Sequence, residues 1–147
     1  MIQSATLDKT SYEMALLEMA RTAGQSAYCP YSKFSVGAAV DTDKGVFVGC
    51  NIENASYGLA ICAERVALFS AIAAGAKQIR CLAVSCLQAA KSDPPGGRMP
   101  CGACRQVIAE FMLPQSSVIV DGAGVWIVED LLPLAFQLEE QHFLSGT

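Results

Sequence analysis

The chain has 147 residues, 52% of them hydrophobic and 16% charged, with a formal net charge of −4 at pH 7. That length fits one domain, 1–147, around a single continuous core. The acidic balance gives no basic footprint and so disfavours binding a polyanion, since nucleic acid is held through its phosphates by clustered Lys and Arg.

No apolar run is long enough to span a membrane, and Met1–Thr10 has no basic region followed by an apolar one, so a cytoplasmic location is expected. The high apolar content points to self-association. In chain order, Thr10-Ser-Tyr-Glu13 has capping-box spacing, and Tyr12, Leu16, Met19 and Ala23 recur at helical intervals before Gly24. This predicts a first helix with Met14 and Met19 as core filler. After Cys29-Pro30-Tyr31, the runs Phe34–Val40 and Val46–Cys50 flank Asp43-Lys44-Gly45 and predict a β-hairpin. Asn51–Gly58 is rich in turn formers and reads as a loop of the kind that carries ligand contacts.

The alanine-rich run Ala63–Ala74 predicts a helix stopped at Gly75, and Ile79–Cys86, almost continuously apolar, a central strand covered on both faces. Gln88–Met99 contains Asp93-Pro-Pro-Gly-Gly97 and reads as a loop. A helix from about Gly102 is expected to place Ala103, Val107, Ile108 and Phe111 on one face and to end before Pro114. Val118–Val120 and Val125–Val128 predict two further strands about Asp121-Gly-Ala-Gly124, and the apolar segment Leu131–Leu138 closes the chain. The order αββαβαββ indicates an α/β fold, a three-layer α/β/α sandwich with a mixed five-stranded sheet. Crossovers of one hand after Cys50 and Cys86 place the second and third helices on one face.

Seven cysteines are too many for chance neglect and odd in number, which argues for reduced thiols rather than a disulfide framework. Cys29, Cys50, Cys81 and Cys86 lie in or beside apolar segments and read as small buried hydrophobes. Cys62, Cys101 and Cys104 differ, because Cys62-Ala-Glu-Arg65 and Pro100-Cys-Gly-Ala-Cys-Arg-Gln106 each sit at a predicted helix start. Backbone N–H groups and the helix dipole favour thiolates there, and three thiolates leave a tetrahedral Zn²⁺ one position open for water or substrate. Glu64 is placed to exchange protons at that open position, and Arg65 to donate to the sulfurs. A Cys-x-Glu at one helix start and a Pro-Cys-x-x-Cys at another form the signature of zinc deaminases, with Cys as the first ligand. The single histidine, His142, lacks a ligand-spaced neighbour and argues against a Ser/His/Asp site.

On these motifs, together with Tyr28–Ala39, Asn51–Gly58 and Leu131–Phe136, the chain resembles the short, homotetrameric cytidine deaminases with three cysteine ligands. The resemblance implies one Zn²⁺ per subunit on Cys62, Cys101 and Cys104, and deamination of cytidine and deoxycytidine to uridine and deoxyuridine in pyrimidine salvage. It implies that Glu64 is catalytic, that Phe34 lies against the pyrimidine, that Asn51 and Glu53 bind the ribose and that Ala63 adds a substrate contact. It also implies that Tyr57 and Phe136 reach the pocket of a neighbouring subunit. The main departure from the family pattern is the longer Gln88–Met99 loop, with Arg98 and Met99 beside the ligand pair. That leaves open a modified or antibiotic cytosine nucleoside as substrate. A different class of reading is a non-catalytic zinc-stabilised protein in which Cys50 completes a closed four-cysteine site.

Overall fold

The computed structural model describes residues 8–138 and residue 143, so His142 lies outside the described residues. Its elements are α1 (Lys9–Gly24), β1 (Val36–Thr42), β2 (Gly45–Cys50), α2 (Ala63–Ala73), β3 (Ile79–Cys86), α3 (Gly102–Phe111), β4 (Met112–Val120), β5 (Gly124–Ile127) and α4 (Val128–Leu131). The sheet has the order β2-β1-β3-β4-β5. β1 runs antiparallel to β2 and β3, β3 parallel to β4, and β4 antiparallel to β5. It is the mixed five-stranded sheet that the sequence predicts.

Side-chain alternation along the strands divides the core in two. Ala39, Cys81, Ala83 and Ile119 meet Leu16, Leu17 and Ala20 of α1. Ala38, Val40, Leu82, Val84, Val118 and Val120 meet Ala67, Leu68 and Ala71 of α2 and Cys104, Ile108 and Ala109 of α3. The layers are therefore α1, the sheet, then α2 and α3 together. Since β2, β3 and β4 are mutually parallel through this register, α2 and α3 both begin at the carboxyl edge of those strands, where open α/β sheets bind ligands.

Two local features hold α2 in place. A Cβ at Gly49 of β2 would lie 2.5 Å from the Ala67 nitrogen and 2.6 Å from the Ala63 carbonyl, so only glycine lets the first turns of α2 sit on the sheet. At the other end Gly75 has φ +88°, and the amides of Gly75 and Ala76 bond the carbonyls of Ile72 and Ala71, each at 3.0 Å. This is a Schellman stop.

Several sequence expectations are corrected. The first helix starts one residue before Thr10, after Asp8, and no side chain caps it, so Thr10 and Glu13 lie within the helix rather than forming a capping box. Met14 and Met19 are exposed, because the buried stripe runs through Leu16, Leu17, Ala20 and Gly24. In α3 Val107, Ile108 and Phe111 face the core as expected, but the fourth inward position is Cys104 rather than the exposed Ala103, with Ala109 also buried. β4 begins at Met112 and contains Pro114, which falls where the pairing with β3 jumps from Met112 to Ser117 and no ladder bond is asked of it. Of the four cysteines read as buried hydrophobes, Cys81 is buried, whereas Cys29, Cys50 and Cys86 are half-buried. The closing segment is helical only to Leu131, leaving Leu134, Phe136 and Leu138 exposed.

Candidate active site and metal centre

The residue before each of the two central helices is a cysteine. Cys62 is the N-cap of α2 and Cys101 the N-cap of α3, with Cys104 in the first turn of α3. Their sulfurs lie within 4.8 Å of one another, with Cys62 and Cys101 at 3.8 Å. Two helix N-termini converge on the three sulfurs and favour negative charge there. Among the described residues this is the one cluster of three or more His, Cys, Asp or Glu side chains able to hold a metal. Cys50, at the end of β2, does not join it, so the closed four-cysteine site has no fourth thiol. A set of three soft donors with a position left over suits Zn²⁺.

Arg65, one helical turn after Cys62, donates from Nη2 to the Cys62 sulfur at 3.3 Å. The Cys62 thiol is brought down to about 5, first by the hydrogen bond from Cys104 and then by Arg65, against the opposing effect of burial. Cys104, which makes that hydrogen bond from a buried position, is held far above the usual thiol range, and Arg65 is raised by its bond to Cys62. The Nε of Arg65 is buried without a partner among the described residues and leaves positive charge facing the cluster. Glu64, the next residue in the first turn of α2, is only 4% exposed. Burial lifts its carboxyl to about 7, and the negative Cys62 adds to the rise. A carboxyl in that range can hold or release a proton near neutrality.

A cavity of about 440 Å³ opens onto the cluster, within the size range of small-molecule sites. It brings together Phe34, Asn51, Glu53, Cys62, Ala63 and Glu64, all singled out in the sequence. Asn51 joins two strands locally: its Oδ1 accepts from the Val36 amide at 2.8 Å and its Nδ2 donates to the Phe34 carbonyl at 2.7 Å. Glu53 accepts from the Ser32 hydroxyl and from the amides of Tyr31 and Ser32 at 3.0 and 3.2 Å. These bonds, the Ser32 hydroxyl first, keep its carboxylate below the usual range and so ionised. Tyr57 and Phe136 are not among the lining residues of this cavity. Tyr57 is 77% exposed and meets Tyr31 in a tilted ring contact, centroids 5.8 Å apart, beside a second cavity that shares Ser32, Glu53 and Ala60. Phe136 is 71% exposed, its carbonyl held by Gln106 Nε2 at 3.0 Å.

Sequence reasoning missed Cys86 and Ser32. Cys86 reads as a buried hydrophobe, yet it lines the cavity and its sulfur donates to the Arg98 carbonyl at 3.8 Å. Burial places its thiol at about 11, so it stays protonated. Ser32 supplies the donor that orients Glu53, and its sequence signal is its place in the Tyr28–Ala39 stretch, two residues before Phe34. Arg105, inside the second motif, bonds the Pro100 and Leu131 carbonyls at 2.9 and 2.8 Å and ties the ligand turn to α4. A larger cavity, about 660 Å³, lies at the opposite end of β3 between Lys77, Arg80, Phe111 and Ser117. Among the described residues it offers neither thiol nor carboxylate, and its Arg80 is already paired with Asp41 at 3.2 Å.

Residues 10–120 match the family described as "Cytidine and deoxycytidylate deaminase zinc-binding region". The chain is 42% identical over 135 residues to the cytidine deaminase of Sporosarcina psychrophila, covering 88% of this chain and 95% of that one. The crystal structure of cytidine deaminase from Burkholderia pseudomallei superposes with a TM-score of 0.74 at 48% identity, covering 84% of this chain and 98% of that one. That from Mycobacterium tuberculosis superposes at 0.72 with 37% identity, covering 85% and 97%.

Proposed function

The chain belongs to the cytidine and deoxycytidylate deaminase family, and from that premise we propose that it hydrolyses cytidine and deoxycytidine to uridine and deoxyuridine, releasing ammonia. The observation that carries this reading is the three-thiol cluster with the buried Glu64 beside it, at the mouth of a nucleoside-sized cavity. Cys62, Cys101 and Cys104 would hold a Zn²⁺, which would supply an activated water for attack at C4 of the base. Three thiolates leave a dication with a net charge of −1, and Arg65 with the two helix N-termini offsets it.

Glu64 takes a proton from the attacking water and delivers it to N3 of cytosine, which makes C4 electrophilic. It then carries the second proton to the departing amino group, so that water and nucleoside leave as ammonia and the uracil nucleoside. Burial, which raises the Glu64 carboxyl, favours a group that both takes and returns a proton. Phe34 stacks on the pyrimidine, and Asn51 and Glu53, oriented by their bonds to the 31–36 segment, bind the ribose, with Ala63 closing the contact.

Tyr57 and Phe136, exposed in the single chain, complete the pocket of a neighbouring subunit in a homotetramer. A neutral nucleoside, rather than a nucleotide or nucleic acid, fits a chain of net charge −4. The enzyme serves pyrimidine salvage in the cytoplasm, and no described helix is long and apolar enough to cross a membrane. The test is the ultraviolet absorbance of cytidine and deoxycytidine with the zinc-loaded protein. Loss of the cytidine band with equimolar ammonia is expected, and a zinc-replete protein that leaves both nucleosides unchanged would overturn the reading.

A further inference from the structure

We propose that Arg98 is a positioning residue that decides which substituents on the cytosine ring the cavity admits. The inference rests on the deaminase reading and goes beyond it to the wall of the site. Arg98 is a cation with only 7% of its surface exposed, the one buried charge of the 88–99 loop. Burying a guanidinium is unfavourable unless its donors are used. Here Nη2 donates to the Ala90 carbonyl and Nη1 to the Asp121 carbonyl at 3.4 Å. The guanidinium thereby joins the start of the 88–99 loop, its end and the turn after β4.

The anchor is itself fixed. Asp121 accepts two hydrogen bonds from Arg21 of α1, each at 2.8 Å, and one from Ser85 of β3 at 2.7 Å. Gly122 follows with φ +74°, and a Cβ on it would overlap the Arg98 guanidinium, so the absent side chain is where the cation sits. Within the loop, the Ala90 amide donates to Asp93 at 2.7 Å, which leaves both backbone groups of Ala90 engaged. The loop entrance is held as well, since Gln88 Oε1 accepts from the Ser35 amide at 2.6 Å.

This stapled loop presents Gly97, Arg98 and Met99 to the cavity. Only Pro100 separates Met99 from the thiol of Cys101. That wall therefore stands at the reacting end of the base, beside N4 and C5, whereas Phe34, Asn51 and Glu53 enter from the β1–β2 side. A rigid wall there rejects an added methyl group, a discrimination worth about 10- to 200-fold in an apolar pocket. Releasing the staple lets the wall move and relaxes the discrimination.

The experiment measures kcat and KM for cytidine, N4-methylcytidine and 5-methylcytidine with the zinc-loaded wild type, Arg98→Met, Arg98→Lys and Asp93→Ala. Zinc content and thermal midpoint are recorded for each. Arg98→Met is expected to raise kcat/KM for at least one methylated nucleoside relative to cytidine by about tenfold, mainly through a lower KM for the methylated substrate. Lys, which reaches one carbonyl instead of two, should fall between Met and wild type, and Asp93→Ala should shift the ratio the same way by less. A merely structural staple would lower the thermal midpoint with the ratio unchanged. A folded, zinc-replete Arg98→Met with wild-type ratios for both methylated substrates overturns the proposal. If Arg98→Met does not fold, unchanged ratios in both Arg98→Lys and Asp93→Ala overturn it equally. A wild type that turns over none of the three removes the deaminase premise instead, and that failure shows in the first sample.

Discussion

Two cysteines on opposite faces of one sheet show how placement decides chemistry. Cys81 lies in the middle of β3 under α1, buried among Leu16, Leu17 and Ala83, and burial lifts its thiol to about 12. Cys62 caps α2 on the other face, with a thiol and a guanidinium donating to its sulfur, and falls to about 5. The residue type is the same and both are shielded from water to some degree. What differs is what faces the sulfur: the Cys104 thiol and the Arg65 guanidinium at Cys62, against an apolar interior with the Asp41 and Glu13 carboxylates nearby at Cys81. Cys81 packs, and Cys62 can bind a cation.

The sharpest way to break that comparison is at Glu64, the group that exists only on the reactive face. Glu64→Gln should retain zinc, measured by metal analysis, and lose about 10²- to 10⁴-fold in kcat. Next is Arg65→Met, which removes the donor to Cys62; a loss of about 10- to 100-fold in zinc affinity or activity is expected, read by competition with a chelator. On metal-free protein at pH 7, iodoacetamide should label Cys62 well before Cys81, with sites identified by peptide mass; equal labelling would dissolve the contrast.

The anchor of the far edge gives a smaller, pH-dependent effect. Arg21 above all, and then Ser85, hold the Asp121 carboxyl below the usual carboxylate range. Its folded-state value is depressed, so its contribution is fully present above the unfolded value near pH 4 and is lost as pH falls through the lowered one. Asp121→Asn should cost on the order of 1 kcal/mol at neutral pH, allowing for solvent screening of a partly exposed pair, and flatten the acid limb of a denaturation series. Smallest of all, Cys50→Ser should leave zinc content and turnover at wild-type levels, because that thiol stands apart from the cluster.

How much of this was legible in the sequence depended on whether a signal was local. β3 was readable to its ends, Ile79 and Cys86, because a continuous apolar run has one good explanation. The ligand set was readable because thiols at two helix starts are rare outside metal sites. The inward face of α3 was readable at Val107, Ile108 and Phe111 but not at Ala103, since Ala103 and Cys104 are both small and only the packing on β3 and β4 chooses between them. Met14 and Met19 misled for a similar reason: the tight approach of α1 to the sheet uses Ala20 and Gly24 instead. Pro114 hid the start of β4, because a shift in strand register cannot be seen from one strand alone. Arg98 drew notice as a charge near the ligands, but its role needed Ala90 and Asp121, distant in sequence and supplied by the fold.

For an open three-thiolate zinc site that deaminates cytidine, the decisive measurement is a zinc titration of the metal-free chain against ammonia release. Release should rise in proportion to added zinc and level off at one ion per chain. Full release from chelator-treated, zinc-free protein would contradict the account, as would silence from protein that has taken up its zinc.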